Sequence, residues 1–241
     1  VDLVVVARNL DELSASANEL ATQTGRRVIP IVADVTDRAS VEAMVESAVS
    51  QLGALHILVN SGSAPGGSPG ATGLIDTIID EEFLGDFNVK YMGALRCARA
   101  AIPHLKKARW GRIINISGLN ARRAGNLSGG ARNTSLVHFT RTLAMQLGRD
   151  GITVNCIHPG ATRTERTAGL LEVRAKEQGI TVAELEASDY AAQSPRANSI
   201  GRMIDASEIG DIAVFLCSDR SWAINGEVIA ADGGGSPAVY Y

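Results

Sequence analysis

The chain of 241 residues is thin in the side chains that carry most enzyme chemistry, with three cysteines, four histidines and four tyrosines. Cys97, Cys156 and Cys217 stand far apart, each beside apolar residues. That spacing excludes a disulfide framework or a zinc cluster and predicts small buried thiols in a reducing compartment. The histidines show no ligand spacing, so no metal site is expected. No apolar run is long enough to span a bilayer, and the N-terminus does not read as a signal peptide, so the expected location is cytoplasmic. Acids and bases are interspersed at a net charge of −3, which leaves no electrostatic footprint for nucleic acid or an anionic membrane. Two gaps are more pointed. Between Tyr91 and Tyr190 there is no tyrosine, and between Lys107 and Lys176 there is no lysine.

What is present is an alternation. VDLVVVARN reads as a buried-type strand, followed by a helix from Leu10 that Asn9 caps and Gly25 stops. RRVIPIVADVTD is a second strand and turn, and the next helix carries Val41, Met44, Val45 and Ala48 on one face and ends at Gly53. LHILVN is a third strand. A long helix across Asp80–Lys107 precedes RIINIS, the fourth. A helix over 130–148, the strand ITVNCI, the helix SEIGDIAVFLCSD and the strand GEVIAADGG complete the series. Apolar strands alternating with helices predict an α/β fold, a doubly wound parallel sheet covered on both faces. No shift in composition marks a linker, so one domain over 1–241 is expected. Ligands of such sheets bind at the carboxyl ends of the strands, which here read Ala7-Arg8, Asp34-Val35, Asn60-Ser61-Gly62, Ser117-Gly118 and Pro159-Gly160.

In that order, and over essentially the whole chain, these motifs resemble the short-chain dehydrogenase/reductase family. Asp34-Val35 resembles the pair that contacts adenine, and LVNSGS at 58–63 the strand that ends in Asn-Asn-Ala-Gly, with Asn60 kept. FNVKYMG at 87–93 resembles the helix segment whose asparagine, here Asn88, completes the catalytic tetrad. GRIINIS leads to the catalytic-serine position. ITVNCIHPGATRT at 152–164 resembles the loop that holds the nicotinamide end of the cofactor, and IAADGG the last strand. The resemblance implies a Rossmann-type oxidoreductase that moves hydride to or from a small carbonyl or alcohol.

Two departures qualify it. The family opens on a strand, a glycine-rich turn and a helix whose N-terminus holds pyrophosphate, and this chain opens on the equivalent of the second strand. The missing strand would lie mid-sheet, and buried unpaired backbone groups cost about 1–3 kcal/mol each. The natural protein is therefore expected to carry on the order of 30 further N-terminal residues, about one βα unit. The second departure is chemical. Against the family's helix, Gly129 takes the place of the tyrosine that protonates the carbonyl oxygen, and Asn133 that of the lysine that lowers its pKa. The serine more often falls where Gly118 stands, with Ser117 adjacent. Asn88 is the retained member, and Asn88, Ser117 and Asn133 are the candidate catalytic residues.

Among replacements, His138 is expected to point away, Arg122 and Arg123 to be solvated, and Tyr91 to pack in the interior. Arg132 is a poor proton donor but suited to holding an anion. Implied cofactor contacts are Arg8, Asp34, Val35, Asn60, Ser61, Gly62, Pro159, Gly160, Thr162 and Thr164. Arg8 at a strand end without an acid favours NADP over NAD. The region 164–199 would cover the substrate, with helices around 168–178 and 181–192, and the glycine-rich loop 61–73 would be a flexible rim. A homo-oligomer, dimer or tetramer, is expected through the helices around 82–108 and 130–148, with the C-terminal PAVYY adding to an interface. Two functions stay open: an NADP-linked oxidoreductase with a weakened or altered site, and a catalytically inactive nucleotide-binding or scaffold relative.

Overall fold

The computed structural model describes residues 1–63 and 66–235; the PAVYY segment lies outside them. The chain forms two compact units, one of residues 1–113 with 146–153, the other of residues 114–145 with those from 154 onward.

In the first unit, β1 (Leu3–Ala7) and β2 (Val28–Val32) pair in parallel from Leu3 opposite Val28 to Ala7 opposite Val32. The first strand is not the buried one expected. Among the described residues it pairs with β2 alone, and Leu3 and Val6 remain 42% and 39% exposed. Between these strands runs α1 (Leu10–Thr24), which starts where Asn9 Oδ1 accepts from the N–H of Asp11 at 3.0 Å. It stops at Gly25, whose φ of 64° is the left-handed conformation that ends helices. Helix α2 (Arg38–Leu52) buries Val41, Met44, Val45 and Ala48 as the spacing predicts, and three of these join Ala33 and Cys97 in one cluster. Strand β3 (Ile57–Asn60) lies beside the start of β4 (Gly111–Ile116), where the N–H of Arg112 donates to the His56 carbonyl at 3.0 Å.

The single long helix expected over 80–107 is broken. Helix α3 (Asp80–Phe87) passes into a π-turn at Asn88–Met92 before α4 (Gly93–Ala108). A π-turn spaces one extra residue per turn and is frequent at functional sites, and here it begins on Asn88. The loop before α3 is also firmer than a flexible rim. Buried Asp86 accepts from the N–H of Ser68 at 3.0 Å and from its hydroxyl at 2.8 Å, and Glu82 accepts from the N–H of Gly70 at 2.7 Å. Ala64 and Pro65 of that loop lie outside the described residues.

In the second unit the end of β4 lies beside β5 (Ile152–Pro159), and β5 pairs in parallel with β8 (Val228–Ala231). Ile114, Ile157 and Leu216 form its core cluster, Leu216 coming from α8 (Ala206–Leu216). Helix α5 (Leu127–Leu147) buries Ser128, Arg132, Asn133, Leu136, Phe139, Thr140, Leu143 and Ala144, a face repeating every three or four residues. Helices α6 (Glu165–Gln178) and α7 (Val182–Asp189) lie close to their expected places. Two strands too short to read from the sequence, β6 (Thr162–Arg163) and β7 (Ile204–Asp205), pair with each other beside them.

Candidate functional site

Strand ends of the first unit gather six of the expected residues. Asp34 is half-buried. Hydrogen bonds from the N–H of Thr36 at 2.8 Å and from its hydroxyl at 2.7 Å hold the carboxyl below its ordinary range, and Arg8 and Arg96 add weaker attraction. Arg8 itself is exposed at the end of β1, and Asn60, Ser61 and Gly62 follow β3. Among the described residues, a Cβ on Gly62 would meet only Val35, 4.0 Å away, which leaves space beside Val35. Arg96, which the sequence reading passed over, ties this corner together. Its guanidinium donates to the Val35 carbonyl at 3.1 Å and to Asn88 Oδ1 at 2.9 Å. Asn88 is thus held at the π-turn by a cation about two turns further on, in the first turn of α4. A basic residue eight positions after the asparagine was the available signal.

In the second unit, Ser117, Gly118 and Asn133 lie together, with Gly129 one turn before Asn133 on α5. Ser117 is buried, and its hydroxyl donates to the main-chain carbonyl of Asn133 at 3.0 Å. Asn133 is 5% exposed, and its Oδ1 is buried with no hydrogen-bond partner among the described residues. A Cβ on Gly118 would stand 2.8 Å from Asn133 Nδ2, and a Cβ on Gly129 would stand 2.5 Å from Asn120 Nδ2 and 3.1 Å from Asn126 Oδ1. Amide side chains therefore crowd the space a tyrosine would enter. Asn126 Oδ1 accepts from the N–H of Gly129 at 2.7 Å. An amide can orient an oxygen by hydrogen bonding, but it has no proton to give near neutral pH. Asn120 and Asn126 were legible only as loop residues, and their approach to Gly129 is a fact of folding.

The loop after β5 is built tightly. The N–H of Gly160 donates to the Ala231 carbonyl at 2.9 Å, and a Cβ there would come within 2.7 Å of the Asp232 Cα. Thr162 turns its hydroxyl to the Gly160 carbonyl at 3.0 Å. Thr164 caps α6 in a reciprocal pair with Thr167, so its hydroxyl serves the helix. His158 is buried at the end of β5 and accepts from the N–H of Gly118 at 3.1 Å, linking the two loops.

Of the expected replacements, His138 is exposed, and Tyr91 packs its ring 4.9 Å from that of Phe87. Arg132 is buried. Arg123 is exposed, as expected, whereas Arg122 is only half-exposed and departs from a solvated reading. Arg122 donates to the Val228 carbonyl at the start of β8 at 3.2 Å, and Arg123 donates to the Gly235 carbonyl. Among the described residues no cluster of histidine, cysteine or carboxylate side chains suits a metal, and no helix is long and apolar enough to cross a membrane.

A family model described as enoyl-(acyl carrier protein) reductase matches residues 1–236. The chain is 29% identical over 240 residues to the NADPH-dependent reductase BacG of Bacillus subtilis, covering 98% of this chain and 89% of the relative. It is 30% identical over 233 residues to the short-chain reductase NovJ of Streptomyces niveus, covering 96% and 83%. Among solved structures, the L-sorbose reductase of Gluconobacter frateurii, complexed with NADPH and L-sorbose, superposes with a TM-score of 0.88 at 29% identity, covering 99% of this chain and 88% of the other. A match of this extent, on a fold of parallel strands and covering helices, places the chain in the short-chain dehydrogenase/reductase family.

Proposed function

We propose that this protein binds NADPH together with a small carbonyl or alcohol, and that its proton route differs from the family's, so that ordinary carbonyl reduction is weak. The observation that carries the reading is the amide-lined space at Gly129 and Asn133. The residues present fit the nucleotide. Arg8 offers a cation for a 2′-phosphate near Asp34, whose low pKa keeps it an acceptor, and the open space beside Val35 and Gly62 suits a flat base. In the first unit Arg8, Asp34, Val35, Asn60, Ser61 and Gly62 would hold the adenosine end. In the second, Pro159, Gly160 and Thr162 would hold the nicotinamide end, with Thr164 fixing the loop through its cap.

The chemistry that NADPH would supply when held by these residues is hydride for a carbonyl carbon. Asn133 would orient the carbonyl oxygen through its amide, and Ser117 would fix Asn133 by its bond to the main-chain carbonyl. Asn88, steadied by Arg96, would serve as a polar anchor. The proton must then come from water or from the substrate, and losing a general acid typically lowers rates by about 10²–10⁴.

The same amide replacement favours a second reading, a catalytically silent relative that binds nucleotide or acts as a regulatory scaffold. In either case we place the protein in the cytoplasm as a homo-oligomer, dimer or tetramer. The exposed Met145 on α5 and Leu84 on α3 support association. Calorimetric titration of NADPH and NADH into the full natural protein decides. Micromolar NADPH binding that exceeds NADH binding supports the first reading. Binding without turnover on any small carbonyl supports the second, and no binding of either nucleotide ends both nucleotide readings.

A further inference from the structure

The second unit contains a pocket of about 260 Å³ that the sequence did not disclose. It is smaller than the roughly 300–1,000 Å³ that holds drug-sized ligands, so its occupant is compact. Gly160 and Leu119 border it, and Leu171 and Met203 give it an apolar wall. Its charge is uneven, because three guanidinium groups, of Arg123, Arg174 and Arg196, line it with two carboxylates, of Asp189 and Asp232.

One of these pairs is closed on itself. Arg174 donates to both Asp189 oxygens, at 2.7 and 2.9 Å, a bidentate arrangement that offsets both charges. Arg196 reaches Asp189 only at 3.7 Å, beyond a hydrogen bond, and is 63% exposed at its side chain. Arg123 spends a donor on the neutral Gly235 carbonyl. Asp232 is 8% exposed, with Oδ1 accepting from the N–H of Gly234 at 3.0 Å, so its charge lies in the buried wall. Two guanidinium groups therefore keep a charge and spare donors that no bidentate carboxylate among the described residues has taken up.

We infer that this pocket takes a compact carboxylate-bearing molecule, its acid group held by Arg196 and Arg123 and its apolar part against Leu171 and Met203. Guanidinium groups suit carboxylates because their donors match the two oxygens. Asp232 sets the orientation, since a carboxylate beside it would be repelled. The inference rests on the function proposed above only in taking the bound acid to be the substrate, and it narrows the small carbonyl compound to an oxo or hydroxy acid.

The test is calorimetry without nucleotide, using acetate, levulinate and succinate, each beside its methyl ester. At least one acid should bind tenfold or more tightly than its ester, and Arg196→Gln should remove about tenfold of that affinity. Because Arg196 is largely exposed, the variant should keep its melting temperature; Arg123→Gln provides an independent second reading. Esters that bind as well as acids, no acid binding at all, or acid binding unchanged in both variants would overturn the inference. NADPH titrated into the same samples separates the two proposals. Acid binding without NADPH binding supports the pocket while removing the nucleotide reading, and NADPH binding without acid binding does the reverse.

Discussion

The amide nitrogen of Asn133 lies 2.8 Å from the place a Cβ on Gly118 would take. A side chain at 118 would thus require the buried Asn133 amide to shift. Placing serine at 118 should strain the pair rather than repair the site. Gly118→Ser is expected to cost roughly 1–2 kcal/mol, as overpacking does, and clearly less in an Asn133→Ala background. Urea midpoints of the four proteins in this cycle would show the coupling, and additive effects would mean that the two positions are independent.

On the function proposed, placing an acid at 129 is expected to work best with three changes rather than two. A Cβ at Gly129 would strike Asn120 Nδ2 at 2.5 Å, so Gly129→Tyr with Asn133→Lys leaves the ring contending with a neighbouring amide. Adding Asn120→Ala clears the space. The triple variant is expected to reduce a small ketone on the order of 10²-fold faster than the parent, and the double variant to gain much less. NADPH absorbance follows the rate. No gain in the triple variant, with nucleotide still bound, would show that more than the proton donor has been lost.

Much of this arrangement was legible because local chemistry fixes it. Asn9 and Gly25 bound α1 by capping, and Val41 through Ala48 bury one face by helical spacing, so those elements fall where the pattern puts them. The stretches without tyrosine, between Tyr91 and Tyr190, and without lysine, between Lys107 and Lys176, were equally visible, since absence needs no geometry. What escaped depends on groups distant in sequence. The π-turn at Asn88 is held in part by Arg96, which reaches Asn88 and Val35 together. The seeming rim loop is tied down by Asp86 and Glu82, which read as ordinary helix-surface acids. Arg122 looked solvated because nothing local reveals that the carbonyl of Val228 will meet it.

Two glycines at strand ends should answer the same substitution differently. At Gly160 an added methyl meets backbone, the Asp232 Cα at 2.7 Å, which cannot rotate away. At Gly62 it meets, among the described residues, only Val35 at 4.0 Å. Gly160→Ala should therefore lower stability by roughly 1–3 kcal/mol. Gly62→Ala should leave stability nearly unchanged and weaken NADPH by filling the space proposed for the base. Thermal melts and nucleotide titration on both proteins separate packing from binding, and Gly62→Ala binding NADPH as the parent does would remove Gly62 from the site.

Burial pushes the Cys97 thiol up to about 11, with nearby Arg96 opposing only in part. The folded pKa lies above the ordinary 9.0, so this group's contribution is intact below pH 9 and lost as pH rises towards 11. Stability should fall over that window and fall less in Cys97→Ala. At pH 8 a disulfide reagent should label half-buried Cys217 well before Cys97 or Cys156. Early labelling of Cys97 in the folded protein would contradict its burial.

Arg202 and Glu208 give the opposite sign. The guanidinium of Arg202 donates to both oxygens of Glu208 at 2.8 Å, and the N–H of Asp205 adds a bond of 2.8 Å at the start of α8. Together they hold the Glu208 carboxyl down to about 2, against an ordinary 4.5. A depressed pKa means that the pair contributes fully above pH 4.5 and that its contribution is lost as pH falls towards 2. Both side chains are solvent-exposed, so salt should weaken the effect. Carboxyl chemical shifts followed from pH 7 to acid should show Glu208 titrating last among the glutamates. Arg202→Gln removes the first cause and leaves the Asp205 N–H, so the midpoint should climb most of the way back. A Glu208 that titrates normally in the parent would mean that the ion pair at the entrance of α8 does not persist in solution.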